Sequence, residues 1–286
     1  MKTRIISGII MGAIVISVLC LGFFIEPLII TLGIAVITAV AIYELLHNAA
    51  GIKSKLCLIG ACSFSALFIL GNDDRLKELL LKAFSIKAIT IDTFDAYWSY
   101  SVTAIIILYF MFAVFMTLKN HKDFDLAKIV SLFAMPLPYA YAFSCLSGVI
   151  KHESGIYYLL LLLNFSSVCD IGAYFTGVTI GKHKLCPNIS PKKTVEGAVG
   201  GIVSSIIVTI ILSLCFDKGI VLPLILTVPF CILGMVGDLF ASAIKRSVGL
   251  KDYGSLIPGH GGILDRVDSI IMIVPLLYLA IEIGII

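Results

Sequence analysis

Apolar residues run through this chain in long unbroken stretches and do not alternate with polar ones. Nine such stretches stand out, at roughly 5–24, 27–46, 55–70, 101–118, 126–149, 157–177, 197–215, 219–240 and 264–286. A helix needs about 20 apolar residues to cross the hydrocarbon core of a bilayer, and most of these runs reach that length. The third is short. Only helices and closed barrels satisfy their own backbone groups in lipid, and barrel strands would alternate. The pattern therefore predicts an all-α fold: a polytopic membrane helical bundle of about nine transmembrane helices. Segment 71–100 is the longest hydrophilic connection. Its Asp73–Ala83 stretch predicts a short surface helix, while Ile86–Tyr97 mixes β-branched and acidic residues. No repeat or linker divides the chain. It reads as one membrane domain, with N-terminal spans in 1–125 and charge-bearing spans and loops in 126–286.

Composition agrees. Of 286 residues, 59% are hydrophobic and 14% charged, and the mean hydropathy is +1.08. So few charges cannot cover a soluble domain of this size, and no charge-rich, apolar-poor tract suggests disorder. The net charge of +3 is weak and gives no reason to expect nucleic acid as a partner. The eight cysteines show no CxxC spacing, and most lie in apolar runs. They read as buried free thiols, with no zinc site or disulfide framework. Lys2 and Arg4 precede the first run, which is too long for a signal-peptide core and has no A-x-A site after it. An uncleaved first span is expected. With the N-terminus cytoplasmic, fifteen of the 21 basic residues fall on the cytoplasmic side, as the positive-inside rule requires.

Charge concentrates in two places on that side. Segments 182–196 and 238–268 hold 13 of the 39 charged residues in about a sixth of the chain. Both abut apolar spans, where ionised groups are costly and usually paired or functional. Upstream of the first, Asp170, Tyr174 and Gly177 are spaced i, i+4, i+7 and share a helix face. The loop that follows offers Ser190 and Thr194 as hydroxyl donors to phosphate, with Lys192 and Lys193 as point charges. Thr194, Glu196 and Gly197 read as the start of the next helix. A positive-inside loop with ordinary capping is the competing reading. A Walker loop is excluded, because Gly177 to Lys182 has the wrong spacing and His183 stands where Ser or Thr is needed.

In the second segment Asp238, Ser242, Lys245 and Arg246 fall on one helical face. Lys251 and Asp252 follow, then a flexible Pro258-Gly259-His260-Gly261-Gly262 run able to bring backbone N–H groups against a ligand. Asp265, Arg266 and Asp268 open the last span. Two carboxylates from separate helices, with bases between them, suit Mg²⁺ and a polyphosphate. The same residues also suit interhelical ion pairs.

The stretch from Ser242 through Lys245, Arg246, Lys251, Asp252, Gly254, Pro258, His260, Gly261, Gly262, Asp265 and Arg266 to Asp268 resembles the signature of the phosphatidate cytidylyltransferase (CDP-diacylglycerol synthase) family. Asp170-x-x-Ala173-Tyr174-x-x-Gly177, Ser190-Pro191-x-Lys193-Thr194-x-Glu196-Gly197 and Glu44 in the second span resemble it too. The C-terminal half carries the resemblance strongly. The first 125 residues carry it only in hydropathy, and segment 71–100 is atypical. The resemblance implies a multi-pass enzyme and a homodimer, and the short chain and compact loops suit a bacterial plasma membrane. Its active site would face the cytoplasm and make CDP-diacylglycerol and pyrophosphate from CTP and phosphatidate. It implies Mg²⁺ as cofactor, held by Asp238 and Asp265. A monovalent cation such as K⁺ is compatible with this, although the sequence does not show one. Lys245, Arg246, Lys251, Arg266 and Asp268 complete the expected catalytic set. Asp170, Tyr174, Ser190, Lys193, Thr194, Glu196, Ser242, His260, Gly261 and Gly262 are the expected substrate contacts. A CTP-dependent polyprenol or phytol kinase and a secondary transporter of an anionic solute are the alternatives from the residues alone.

Overall fold

The computed structural model describes residues 2–84 and 91–286. Part of the mixed stretch 86–97 therefore lies outside the described residues. Helices α1 (Lys2–Phe24), α2 (Leu28–Tyr43), α3 (Lys55–Gly71), α4 (Asp74–Phe84), α5 (Ile91–Lys119), α6 (Leu126–Ala134) and α7 (Pro136–Lys151) come first. They are followed by α8 (Gly155–Leu163), α9 (Cys169–Ile180), the strands β1 (Lys184–Cys186) and β2 (Ser190–Thr194), α10 (Val195–Cys215), α11 (Val221–Ser247) and α12 (Leu264–Glu282). Two wide π-helical turns, Glu44–Ala49 and Asn164–Val168, extend α2 and join α8 to α9.

Among the described residues seven helical spans are long and apolar enough to cross a membrane, or eight if α3 and α4, bent by 78° at their junction, count as one. The protein is a multi-pass helical membrane protein. Residues 126–149, expected as one run, are two helices meeting at Pro136, and 157–177 is α8, a π-helical turn and α9. The last expected span, 264–286, falls outside the set of seven because Asp265, Arg266, Asp268 and Glu282 interrupt α12. The burial pattern inverts that of a soluble protein. Ile9, Ile14 and Ile16 on α1 and Leu108, Met111 and Phe115 on α5 are exposed, whereas Thr31, Thr38, Ser65, Ser205 and Thr209 are buried. Apolar surface costs nothing against lipid, and hydroxyls are satisfied inside. The cysteines are all free, but Cys20 and Cys215 are exposed and Cys62 and Cys186 intermediate, not buried as expected.

The chain forms two compact units: Met1–Ser147 with Asp252–Asp265, and Gly148–Lys251 with Arg266–Ile286. In the first, α2 packs on α3 and α3 on α5. Phe64 stacks on Tyr109 with ring centroids 4.1 Å apart, and the Tyr109 hydroxyl donates to the Leu132 carbonyl at 2.6 Å. Asp73 starts α4: its Oδ1 accepts from the Leu76 N–H at 2.8 Å and its Oδ2 from the Thr31 hydroxyl, both within a buried cluster. This is the short helix expected at Asp73–Ala83.

In the second unit α9 lies against α10 along small residues. The buried stripe of α10 is Gly197, Gly201, Ser205, Thr209 and Ser213, one residue in every four, so it forms a single line along the helix. Backbones approach closely there. A Cβ added at Gly201 would sit 2.5 Å from the Cys169 carbonyl oxygen, and one at Gly197 would sit 2.7 Å from that of Ala173. Hydroxyls and amides cross-link the seam. Asn164 donates to the Ser205 carbonyl at 3.0 Å and to Thr209 Oγ1 at 2.9 Å, and Thr209 meets Thr227 at 2.8 Å.

Candidate functional site

In the second unit, three elements bring charge together. The Lys- and hydroxyl-rich loop after α9 is an antiparallel hairpin in which Lys184 pairs with Thr194 and Cys186 with Ser190. In β2 successive side chains alternate faces, so Lys192 points to solvent while Lys193 turns inward. The Lys193 ammonium sits 2.5 Å from Asp238 Oδ2 of α11, and each side chain is about a quarter exposed (24% and 26%). Asp170, near the start of α9 and exposed, lies within electrostatic reach of both. One ammonium thus pairs with Asp238 and lies within the electrostatic field of Asp170. Thr194 ends the strand and caps α10 as expected, its hydroxyl accepting from the Gly197 N–H at 3.1 Å.

Glu196, expected to touch substrate, clamps the base of the hairpin. It accepts from the Lys182 and His183 N–H groups at 3.0 and 3.1 Å and meets His183 Nδ1 at 2.5 Å. Tyr174 is exposed on α9, and Ser190 is half-buried in β2. Two turns beyond Asp238, Lys245 is buried and pairs with Asp268 of α12 at 3.8 Å. Arg246 points elsewhere and donates to the Leu250 carbonyl at 3.0 Å, closing the C-terminus of α11. Lys251 and Arg266 are exposed, and Ser242 is half-buried.

In the first unit, loop 252–263 folds back on itself. Asp265 Oδ2 accepts from the Tyr253 N–H at 2.8 Å and the Gly262 N–H at 3.0 Å, gathering both ends of the loop on one carboxylate oxygen. A bridge between Ile257 and Gly261 tightens the tip, which turns through left-handed Gly259 and Gly261 (φ +78° and +86°). His260 Nδ1 meets the Ser7 hydroxyl at 2.9 Å. Gly262 is buried and Gly261 half-buried. Beneath them lies Glu44, 3% exposed.

Chemically, these residues offer hard oxygens and ammonium or guanidinium groups, with no soft ligand set. Among the described residues no three of His, Cys, Asp and Glu gather around a common point as metal ligands. Carboxylates in ones and twos are what Mg²⁺ takes when waters and substrate phosphates fill its other positions. Glu44 and Asn48 were not expected to act on the loop. Their signal in the sequence is a Glu and an Asn one helical turn apart at the end of an apolar span.

A family model described as the cytidylyltransferase family matches residues 2–284. The chain belongs to the cytidylyltransferase family. Over 127 residues it is 46% identical to the phosphatidate cytidylyltransferase of Staphylococcus saprophyticus, a stretch covering 44% of this chain and 49% of that protein. It is 39% identical over 166 residues to the phosphatidate cytidylyltransferase of Bacillus subtilis, covering 56% and 60%. The corresponding protein of Staphylococcus aureus (strain COL) is 42% identical over 127 residues. The matched stretch thus spans about half the length of the staphylococcal relatives. The resemblance first seen in the polar segments therefore rests on the family as a whole.

Proposed function

We propose that this protein is a phosphatidate cytidylyltransferase. In this reading a phosphate oxygen of phosphatidate attacks the α-phosphorus of CTP, the bond to the β-phosphate breaks, and CDP-diacylglycerol and pyrophosphate form. The observation that carries the reading is the Lys193–Asp238 pair near Asp170, charge set within otherwise apolar helical spans. The named relatives support the same chemistry.

The attacking monoester is already an anion, so the obstacle is repulsion between two charged phosphates and not the removal of a proton. Fixed cations in a water-poor site answer that need. Lys193 can exchange its carboxylate partner for a phosphate oxygen as substrate arrives. Lys245, Arg246, Lys251 and Arg266 add positive charge, and Ser190, Thr194 and the glycine-rich loop offer hydrogen-bond donors. The donor chemistry fits Mg²⁺: Asp238 holds the Lys193 ammonium where a cation would sit, and Asp265 supplies a second carboxylate. Asp238 and Asp265 are the acids proposed to bind Mg²⁺, which would neutralise and align the phosphates. The acyl chains stay in the bilayer while CTP comes from water. The excess of basic residues on one side supports a site at the cytoplasmic face of the cell membrane.

Incubating the purified protein with α-labelled CTP, phosphatidate vesicles and Mg²⁺ tests the proposal. Label entering lipid, with one pyrophosphate released per lipid labelled, is the expected result. Label released as CDP would overturn the proposal in favour of a kinase, and no reaction at all would overturn it outright.

A further inference from the structure

Glu44 is a buried carboxylate in an apolar span, and the proposed chemistry does not use it. The π-helical turn Glu44–Ala49 widens the end of α2 and presents Glu44 and Asn48 to the same loop. Glu44 Oε2 accepts from the Leu264 N–H at 2.9 Å and Oε1 from the Ile263 N–H at 3.2 Å. Asn48 donates to the Tyr253 carbonyl at 2.6 Å. A Cβ added at Gly254 or at Gly262 would collide with the Glu44 carboxylate, so both ends of the loop rest on it. Asp265 joins those ends from the other side through the Tyr253 and Gly262 N–H groups.

We propose that Glu44, with Asn48, is a positioning residue that clamps loop 252–264 and so fixes where Asp265 presents its carboxylate. This rests on the cytidylyltransferase reading of Asp265. Ile263 immediately precedes α12 and Leu264 begins its first turn, whose N–H groups have no partner within the helix. Glu44 supplies that partner from more than two hundred residues away. A group that must meet a phosphate within a fraction of an ångström gains from such a clamp, since a displacement of about 1 Å can lower turnover about 100-fold.

The test is Glu44→Gln. The amide keeps the shape but turns an N–H₂ donor towards one of the two N–H groups. Two readouts are compared with wild type in detergent: hydrogen–deuterium exchange along the chain, and the kinetics of CDP-diacylglycerol formation. Exchange across 253–264 is expected to rise at least tenfold, with the hairpin 184–194 unchanged. The kcat should fall at least tenfold while KM for CTP moves less than threefold. Asn48→Ala should loosen the same loop to a smaller degree, and it decides the matter should Glu44→Gln fail to fold. Unchanged exchange at Ile263 and Leu264 would overturn the clamp. Faster exchange with unchanged kcat would overturn its role in positioning. A wild-type protein without the activity would overturn the functional reading and the catalytic half of this one, while exchange would still decide whether Glu44 holds the loop.

Discussion

Replacing Lys193 by Gln removes the ammonium that pairs with Asp238 near Asp170 while keeping a side chain of similar length. Two unit charges about 4 Å apart interact by about 4 kcal/mol at an effective dielectric constant of about 20. The Lys193–Asp238 pair is closer, but each partner is about a quarter exposed. Solvent screening and the cost of desolvation bring the net coupling down to about 1–2 kcal/mol. That governs the resting protein. In the reaction the ammonium faces phosphate charge, and removing one fixed donor from such a site lowers turnover by about 10²–10³. Lys193→Gln should therefore lower kcat/KM about 100-fold, equivalent to about 2.7 kcal/mol. The Mg²⁺ concentration for half-maximal activity should not rise, because the remaining site is more negative. Lys192→Gln, one residue away and facing solvent, should stay within about threefold of wild type. The assay is CDP-diacylglycerol formation at varied CTP and Mg²⁺. Equal, small effects of the two substitutions would refute the reasoning, since a loop of merely topological charge would treat both lysines alike.

Three further outcomes follow from the packing and the charges. Gly201→Ile should lower the melting temperature in detergent by about 2–12 °C, because overpacking costs about 1–3 kcal/mol and here drives a side chain into the Cys169 carbonyl. Val199→Ala, on the exposed side of α10, should change it little, and equal melting temperatures for the two variants would contradict the close α9–α10 contact. Lys245→Ala should reduce turnover at least tenfold, since it removes a buried ammonium paired with Asp268; Lys218→Ala, which loses only a 2.9 Å exposed contact to Ser154, should leave it within about twofold. Arg75 holds the Glu26 carboxyl below its ordinary range through a 2.7 Å hydrogen bond. The stabilisation is thus present above the ordinary carboxylate pKa and lost as pH falls through the lowered one. The gap in melting temperature between wild type and Arg75→Gln should accordingly close on acidification, and a gap independent of pH would count against the pair.

Hydropathy alone located most of the helices, because a span must carry its apolar residues continuously. It could not show that the run 126–149 breaks at Pro136, or that π-helical turns interrupt two others, since those features leave the average apolar content unchanged. The hairpin at 184–194 was hidden for a related reason: its strands are three and five residues long and rich in Lys, with no alternating apolar signal. Helical spacing did place Asp238 and Lys245 on one helix and Thr194 at a helix start. It gave no sign that Lys193 would meet Asp238, or that Glu196 would close the hairpin, because such partners depend on tertiary approach. Glu44 is the extreme case. Its hydrogen bonds reach 219 and 220 residues along the chain, beyond any local pattern.

The central proposal is that divalent-cation binding depends on both Asp238 and Asp265, the two acids expected as metal ligands. Mn²⁺ is a paramagnetic substitute for Mg²⁺, and its binding to purified wild-type, Asp238→Asn and Asp265→Asn proteins can be followed by electron paramagnetic resonance in the presence of CTP. The account predicts one tight Mn²⁺ per chain in the wild type, lost in each single variant, with the double variant no worse than either. Retention of that ion in either variant, with the fold intact, would contradict it.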